Sequence, residues 1–185
     1  MANQGDVIEN PITGEKIVFL QTAKDTNGEF LELDLFVRPG GFVAAEHIHP
    51  KQDEEFEVIS GTLALFINGE KTIGEKGFQT TVKAGTPHIW INDGEDELHC
   101  RLLLRPALQW EQMFETMFGL ARDGKSDKKG LPNILQIAVM TKKFKDHAWL
   151  ASPPIPVQRT MFTVLRPLGK LMGYKATYPE YTKEN

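Results

Sequence analysis

The stretch "GGFVAAEHIHPKQDEEFEVISG", Gly40 to Gly61, decides how this chain is read. It sets two histidines one residue apart, then a short turn, then paired glutamates at the head of an apolar run. Residues i and i+2 of a β-strand point to the same face. His47 and His49 therefore aim their imidazoles into one space. Glu54 lies beyond the "PKQD" turn, where the chain can reverse into the next strand. On that strand Glu54, Phe56 and Val58 share a face, and Glu55 and Glu57 take the other.

A third histidine, His88, follows the turn "KAGTP" and starts the strand "HIWIN". Trp90 and Asn92 share its face. If these strands line one barrel, three imidazoles and a carboxylate converge. Three N donors and one O donor suit a divalent transition ion, with positions left open for water or substrate. A lone histidine on a strand is more often a satisfied surface or core residue than a ligand. His99 and His147 have no partner at ligand spacing and are read that way. Glu55 competes with Glu54 as ligand, but strand alternation points Glu55 outward.

Around this stretch, the chain up to about Pro106 reads as β. Short runs rich in Val, Ile, Phe, Thr and Leu are separated by Gly, Asn, Asp and Pro. In "FLELDLFV", Leu31, Leu33 and Leu35 alternate with Glu32 and Asp34, the period of a half-buried strand. Asn68-Gly69 predicts a tight hairpin, and Ser60-Gly61 joins two strands. In "ELHCRLLLR", Leu98, Cys100, Leu102 and Leu104 fall on one face, which is taken as the inward one. Many short strands with no intervening helix predict an all-β barrel or sandwich.

After Pro106 the period changes. Trp110, Met113, Phe114, Met117, Leu120 and Ala121 follow the spacing of an amphipathic helix that Gly124 stops. "LPNILQIAVMTKKF" predicts a second helix with Pro132 near its first turn. "SPPIP" reads as a rigid linker. "VQRTMFTVLRPLGKLMGYK" is helical again, with Pro167 expected to kink or split it. The apolar side chains of these helices are expected to pack on the barrel or on a second subunit.

Bulk properties narrow the classes. The chain has 185 residues, 41% hydrophobic and 25% charged, with a formal net charge of -4. Nothing in that balance suggests a nucleic-acid partner or an anionic membrane surface. The basic run "KSDKKG" reads as a solvated loop. The single cysteine, Cys100, excludes an intramolecular disulfide framework. The polar N-terminal stretch has no apolar signal core, and no apolar run is long enough to span a bilayer. A cytoplasmic setting is the expectation.

The Gly40–Gly61 stretch resembles the first motif of the cupin superfamily, G-x5-H-x-H-x4-E-x6-G, from Gly41 through His47, His49 and Glu54 to Gly61. "GFQTTVKAGTPHIWIN" is similar to the second motif, G-x5-P-x-G-x2-H-x3-N, at Gly77, Gly85, His88 and Asn92. Lys83 stands where the family usually has proline, a departure in the turn and not at a ligand. The resemblance covers roughly residues 15 to 107. It implies a small monocupin: a double-stranded β-helix over residues 1–106 (core about 15–106), then a helical C-terminal region over 107–185, often as a homodimer.

It also implies that His47, His49, Glu54 and His88 bind one divalent metal ion: Fe, Mn, Ni, Zn, Co or Cu. Gly41, Gly61, Gly77 and Gly85 would be turn glycines. Asn92 is expected to be a strand-end turn residue. Phe56 and Trp90 are candidates for the walls of a pocket for a small organic molecule. By analogy with the family, the expected function is that of a metal-dependent, dioxygenase-like enzyme. The alternatives are a metal-dependent isomerase or decarboxylase, and a non-catalytic small-molecule-binding or regulatory module. No catalytic residue beyond the metal ligands can be named. If the C-terminal helices form a lid they should cover the barrel mouth; as a dimer arm they should cover its wall.

Overall fold

The computed structural model describes residues 2–182. Two antiparallel sheets face each other. The first has six strands in the order β1 (Val7–Asn10), β2 (Glu15–Gln21), β3 (Leu31–Val37), β10 (Leu98–Arg105), β5 (Asp53–Ser60) and β8 (Gln79–Val82). The second runs β11 (Trp149–Leu150), β4 (His47–Ile48), β9 (His88–Asn92), β6 (Leu63–Ile67) and β7 (Glu70–Gly74). Three helices follow the barrel strands: α1 (Trp110–Arg122), α2 (Ile134–Phe144) and α3 (Ile155–Leu171). This is a double-stranded β-helix followed by helices.

Strand faces follow the two-residue period. Leu31, Leu33, Leu35 and Val37 of β3 are buried, while Glu32, Asp34 and Phe36 are only half-buried. On β10 the leucine face is inside, and Leu98, Cys100, Leu102 and Leu104 belong to the main core. Its other face carries Arg101, whose guanidinium pairs with Asp34 at 3.2 Å, and His99, which stacks on Phe36. The Asn68-Gly69 hairpin joins β6 and β7 with both residues at positive φ, 52° and 82°, as its turn type requires. Gly61 takes φ +83° where the chain leaves one sheet for the other. A Cβ there would lie 2.7 Å from the Leu98 Cα, so no other residue fits.

The helical region departs from expectation in two places. Pro167 does not divide α3, which runs unbroken from Ile155 to Leu171. Proline removes the bond to the carbonyl four residues back, here that of Thr163. Both residues are exposed, so water can satisfy that carbonyl. The predicted linker "SPPIP" is also partly helix, because α3 starts at Ile155 with Pro156 in its first turn. The segment between α2 and α3 adds the short strand β11, which pairs with β4 in the register Trp149↔Ile48 and Leu150↔His47. The Ala151 amide extends this pairing to the Glu46 carbonyl at 2.9 Å. The helical region is thereby stitched to the histidine-bearing strand. No described helix is long and apolar enough to cross a membrane.

Candidate metal centre and its cavity

Both sheets contribute to the cluster. His47 on β4 and His88 on β9 are direct partners across one ladder. His49 follows β4, and Glu54 comes from β5 in the opposite sheet. One ligand atom from each of His47, His49, Glu54 and His88 lies within 4.8 Å of all the others. Glu54 Oε2 lies 2.8 Å from His88 Nε2 and 3.2 Å from His49 Nε2. Glu55 is on the outer face, as the alternation required.

The second nitrogen of each ring is already committed. His47 Nδ1 meets the Ala45 carbonyl at 2.9 Å, His88 Nδ1 the Thr86 carbonyl at 3.0 Å, and His49 Nδ1 the His147 carbonyl at 2.8 Å. A carbonyl can only accept, so each Nδ1 carries its hydrogen. Each ring therefore turns Nε2 to the cluster, where those of His49 and His88 donate to Glu54 and would give up that hydrogen to a bound cation. Burial, reinforced by His49 and His88, pushes His47 down to about 3. Burial alone would raise Glu54, but hydrogen bonds with His49 and His88 outweigh it and hold the carboxyl well below its usual range. His88 is buried too, yet Glu54 raises its pKa. Neutral imidazoles beside an ionised carboxylate are the protonation states a divalent cation needs.

The helical region closes over this end of the barrel. Trp110 of α1 sets its ring edge-on to His49, centroids 5.1 Å apart, and its Nε1 donates to Gln52 Oε1 at 2.5 Å. His147, which precedes β11, is 4% exposed and accepts the Gln109 amide at Nε2, 2.9 Å away. It is a core residue, as expected, although its Nδ1 is buried without a hydrogen-bond partner, and it orients a ligand through its backbone. The sequence carries no local sign of this, because the bond spans 98 positions.

A cavity of about 170 Å³ adjoins the cluster and reaches His47. Its walls are mainly apolar and come largely from the helical region: Trp110, Met113 and Phe114 of α1, Met140 and Phe144 of α2, and Trp149 of β11. The helices thus cover the mouth, the lid position. Phe56 and Trp90 are not among the lining residues. They are 2% and 3% exposed and packed into the main core. Sharing a strand face with a ligand placed them inside the barrel, but deeper than the cavity. Glu15 and Asn10, from the β1–β2 hairpin, form a polar part of the wall. The alternation of Glu15 with Ile17 and Phe19 on the inward face of β2 is the sequence signal that could have found Glu15.

Asn92 is a structural residue. Its Nδ2 donates to the Val37 and Asp96 carbonyls, both at 2.8 Å, and its Oδ1 accepts the Gly94 amide. Lys83 pairs with Asp53 at 2.8 Å at the turn, away from the cluster.

Comparison with known proteins agrees with this geometry. A cupin-domain profile matches residues 35–104, which hold all four cluster residues. The chain is 29% identical over 151 residues to "Probable oxidoreductase virH" of Hypocrea virens, an alignment covering 75% of this chain and 67% of that protein. It is 28% identical over 154 residues to an "Oxidoreductase" of Arthrobotrys oligospora, covering 75% of this chain and 59% of the relative. The chain therefore spans about three fifths to two thirds of these relatives' length. Among solved structures, a "predicted oxalate decarboxylase" from Thermotoga maritima superposes with a TM-score of 0.50 at 18% identity, over 57% of this chain and 99% of that one. An RmlC-like cupin from Shewanella frigidimarina also gives 0.50, at 16% identity, over 60% and 92%. At these identities the two structures bear on the fold alone.

Proposed function

We propose that this chain, whose residues 35–104 match a cupin-domain model, is a metal-dependent oxidoreductase, dioxygenase-like, acting on a small and largely apolar organic molecule. The observation that carries this is the adjacency of two features: a preorganised three-imidazole, one-carboxylate donor set and a lidded cavity that reaches His47. The oxidoreductase names of the two curated relatives support the reaction class.

The residues present fit a metal. His47, His49, Glu54 and His88 would hold one divalent transition ion. Bound there, such an ion supplies Lewis acidity or redox chemistry at the cavity wall. The protein's own contributions are separate. The Nδ1–carbonyl bonds fix the imidazole tautomers. Trp110 and the helices exclude water, which strengthens every electrostatic interaction inside. The cavity limits size: an apolar cavity of ~150 Å³ takes up benzene, so one ring is the scale of ligand that fits.

Elemental analysis of protein purified without chelator, followed by oxygen-uptake assays with small phenols, diketones and thiols, tests the proposal. Stoichiometric metal with uptake on one of these classes is the expected result. Metal without turnover on any class would favour a binding or regulatory module. Turnover without oxygen consumption would favour an isomerase or decarboxylase.

The reading includes a cytoplasmic homodimer. Supporting a second copy, α3 exposes Val157, Val164, Leu168 and Leu171. They recur at intervals of three, four and seven, the spacing with which one helix seats on another. A molar mass of one chain by light scattering would remove the dimer.

A further inference from the structure

Apart from His47, Glu15 is the one ionisable side chain among the residues lining the cavity, and the metal cluster does not account for it. It is 7% exposed, on the inward face of β2 beside Ile17 and Phe19, which are 1% and 0% exposed. Its Oε2 accepts the Thr13 hydroxyl at 2.6 Å. Among the described residues no Lys, Arg or His pairs with it. Arg38 lies across Gly14 nearby, but its guanidinium donates to the Ile12 carbonyl at 3.0 Å. Asn10, next to it on the wall, uses its Oδ1 on the amides of Ile12 and Thr13.

A carboxyl in such a place is costly. Burial pushes Glu15 up to about 7; the Thr13 hydroxyl opposes this and the Glu54 charge adds to it. A glutamine or leucine would pack with less penalty. Buried, unpaired carboxyls facing a cleft are where proton chemistry concentrates. Thr13 occupies Oε2 and not Oε1, and a ligand of one-ring size can bring Oε1 a hydroxyl donor.

We propose that Glu15 binds the hydroxyl of a small ring compound in this cavity, a phenol or cyclic enol, and takes its proton. In that step the ligand O–H bond breaks, an O–H bond forms on Glu15, and the ligand oxygen keeps the electron pair. No electrons change hands. On release the proton returns to the departing oxygen or to water. The ligand class rests on the proposed function; the binding role of Glu15 does not, because it needs no metal.

The test uses metal-free full-length protein, with phenol and toluene as probes and Trp110 and Trp149 in the cavity wall as fluorescent reporters. Phenol stays neutral over pH 6 to 8, as tyrosine does. An ionised carboxylate accepts a stronger hydrogen bond than a neutral one. The preference for phenol over toluene should therefore grow about tenfold as pH rises through Glu15's titration. In Glu15→Gln it should be flat. His47 and Glu54 also face this region and Arg38 flanks it, so toluene controls for any general pH effect. A second readout needs no variant: calorimetry in buffers of different ionisation enthalpy should show proton release when phenol binds near pH 6.5, and none for toluene. A wild-type preference independent of pH, a pH dependence that survives Glu15→Gln, no proton release, or no binding of either probe would each overturn the proposal. An inactive metal-loaded enzyme would count against the proposed function and leave these results standing.

Discussion

The His147 carbonyl oxygen accepts the Nδ1 hydrogen of His49 at 2.8 Å. A residue of the helical region thus orients a member of the barrel's cluster, and β11 holds that residue in place by pairing with β4. Partners of this kind commonly account for 10–100-fold in metal affinity.

Ala151→Pro tests that coupling. It removes the amide that bonds the Glu46 carbonyl at the end of β11. Metal affinity should fall by roughly 10-fold or more, with the far-UV spectrum unchanged. Titration of metal-free protein with Zn²⁺ or Co²⁺ against a chelating indicator measures it. Unchanged affinity would make the helical region a bystander to the metal.

Acid should empty the site. A bound cation needs neutral imidazoles and an ionised carboxylate. His88, whose pKa Glu54 raises, is the position at which protons compete first, and Glu54 is the last to yield. Metal content after dialysis, measured from pH 7 down to pH 4, should decline. Full occupancy at pH 4 would contradict the ligand set.

Glu15 makes stability depend on pH in the opposite sense to an ordinary salt-bridged carboxylate. Its folded pKa, about 7, lies above the ordinary 4.5. The folded protein therefore binds the proton more tightly than the unfolded chain. The stability this provides is complete below about pH 4.5 and is lost as pH rises to about 7. Glu15→Gln should flatten that slope and stabilise the protein at pH 8, by on the order of 3 kcal/mol. Urea unfolding at pH 5 and pH 8 checks it. A destabilised variant at pH 8 would mean that the carboxylate has a partner in the folded protein.

Much of the barrel was legible because its rules are local. Alternation put Glu54 inward and Glu55 outward, and the two glycine-bounded motifs pointed to the barrel and to the set of converging residues. What escaped depends on contacts distant in sequence. The two-residue strand Trp149–Leu150 has no period of its own and exists only because β4 offers an edge. Phe56 and Trp90 share a face with ligands, but depth along a barrel is not written in alternation, and the cavity wall comes instead from Trp110, Phe114 and their neighbours on helices. Of the kink or split expected at Pro167, the split does not occur, because proline on an exposed helix flank leaves a carbonyl that water can reach.

The most direct test of the central claim is X-ray absorption spectroscopy of the metal-loaded protein, wild type beside His49→Ala. Wild type should hold one metal per chain, with a first shell of about three imidazole nitrogens and a carboxylate oxygen at ~2.0–2.2 Å. His49→Ala should lose one nitrogen or the metal altogether while the barrel stays folded. A wild-type shell without multiple imidazoles, or a His49→Ala shell identical to wild type, would contradict the account.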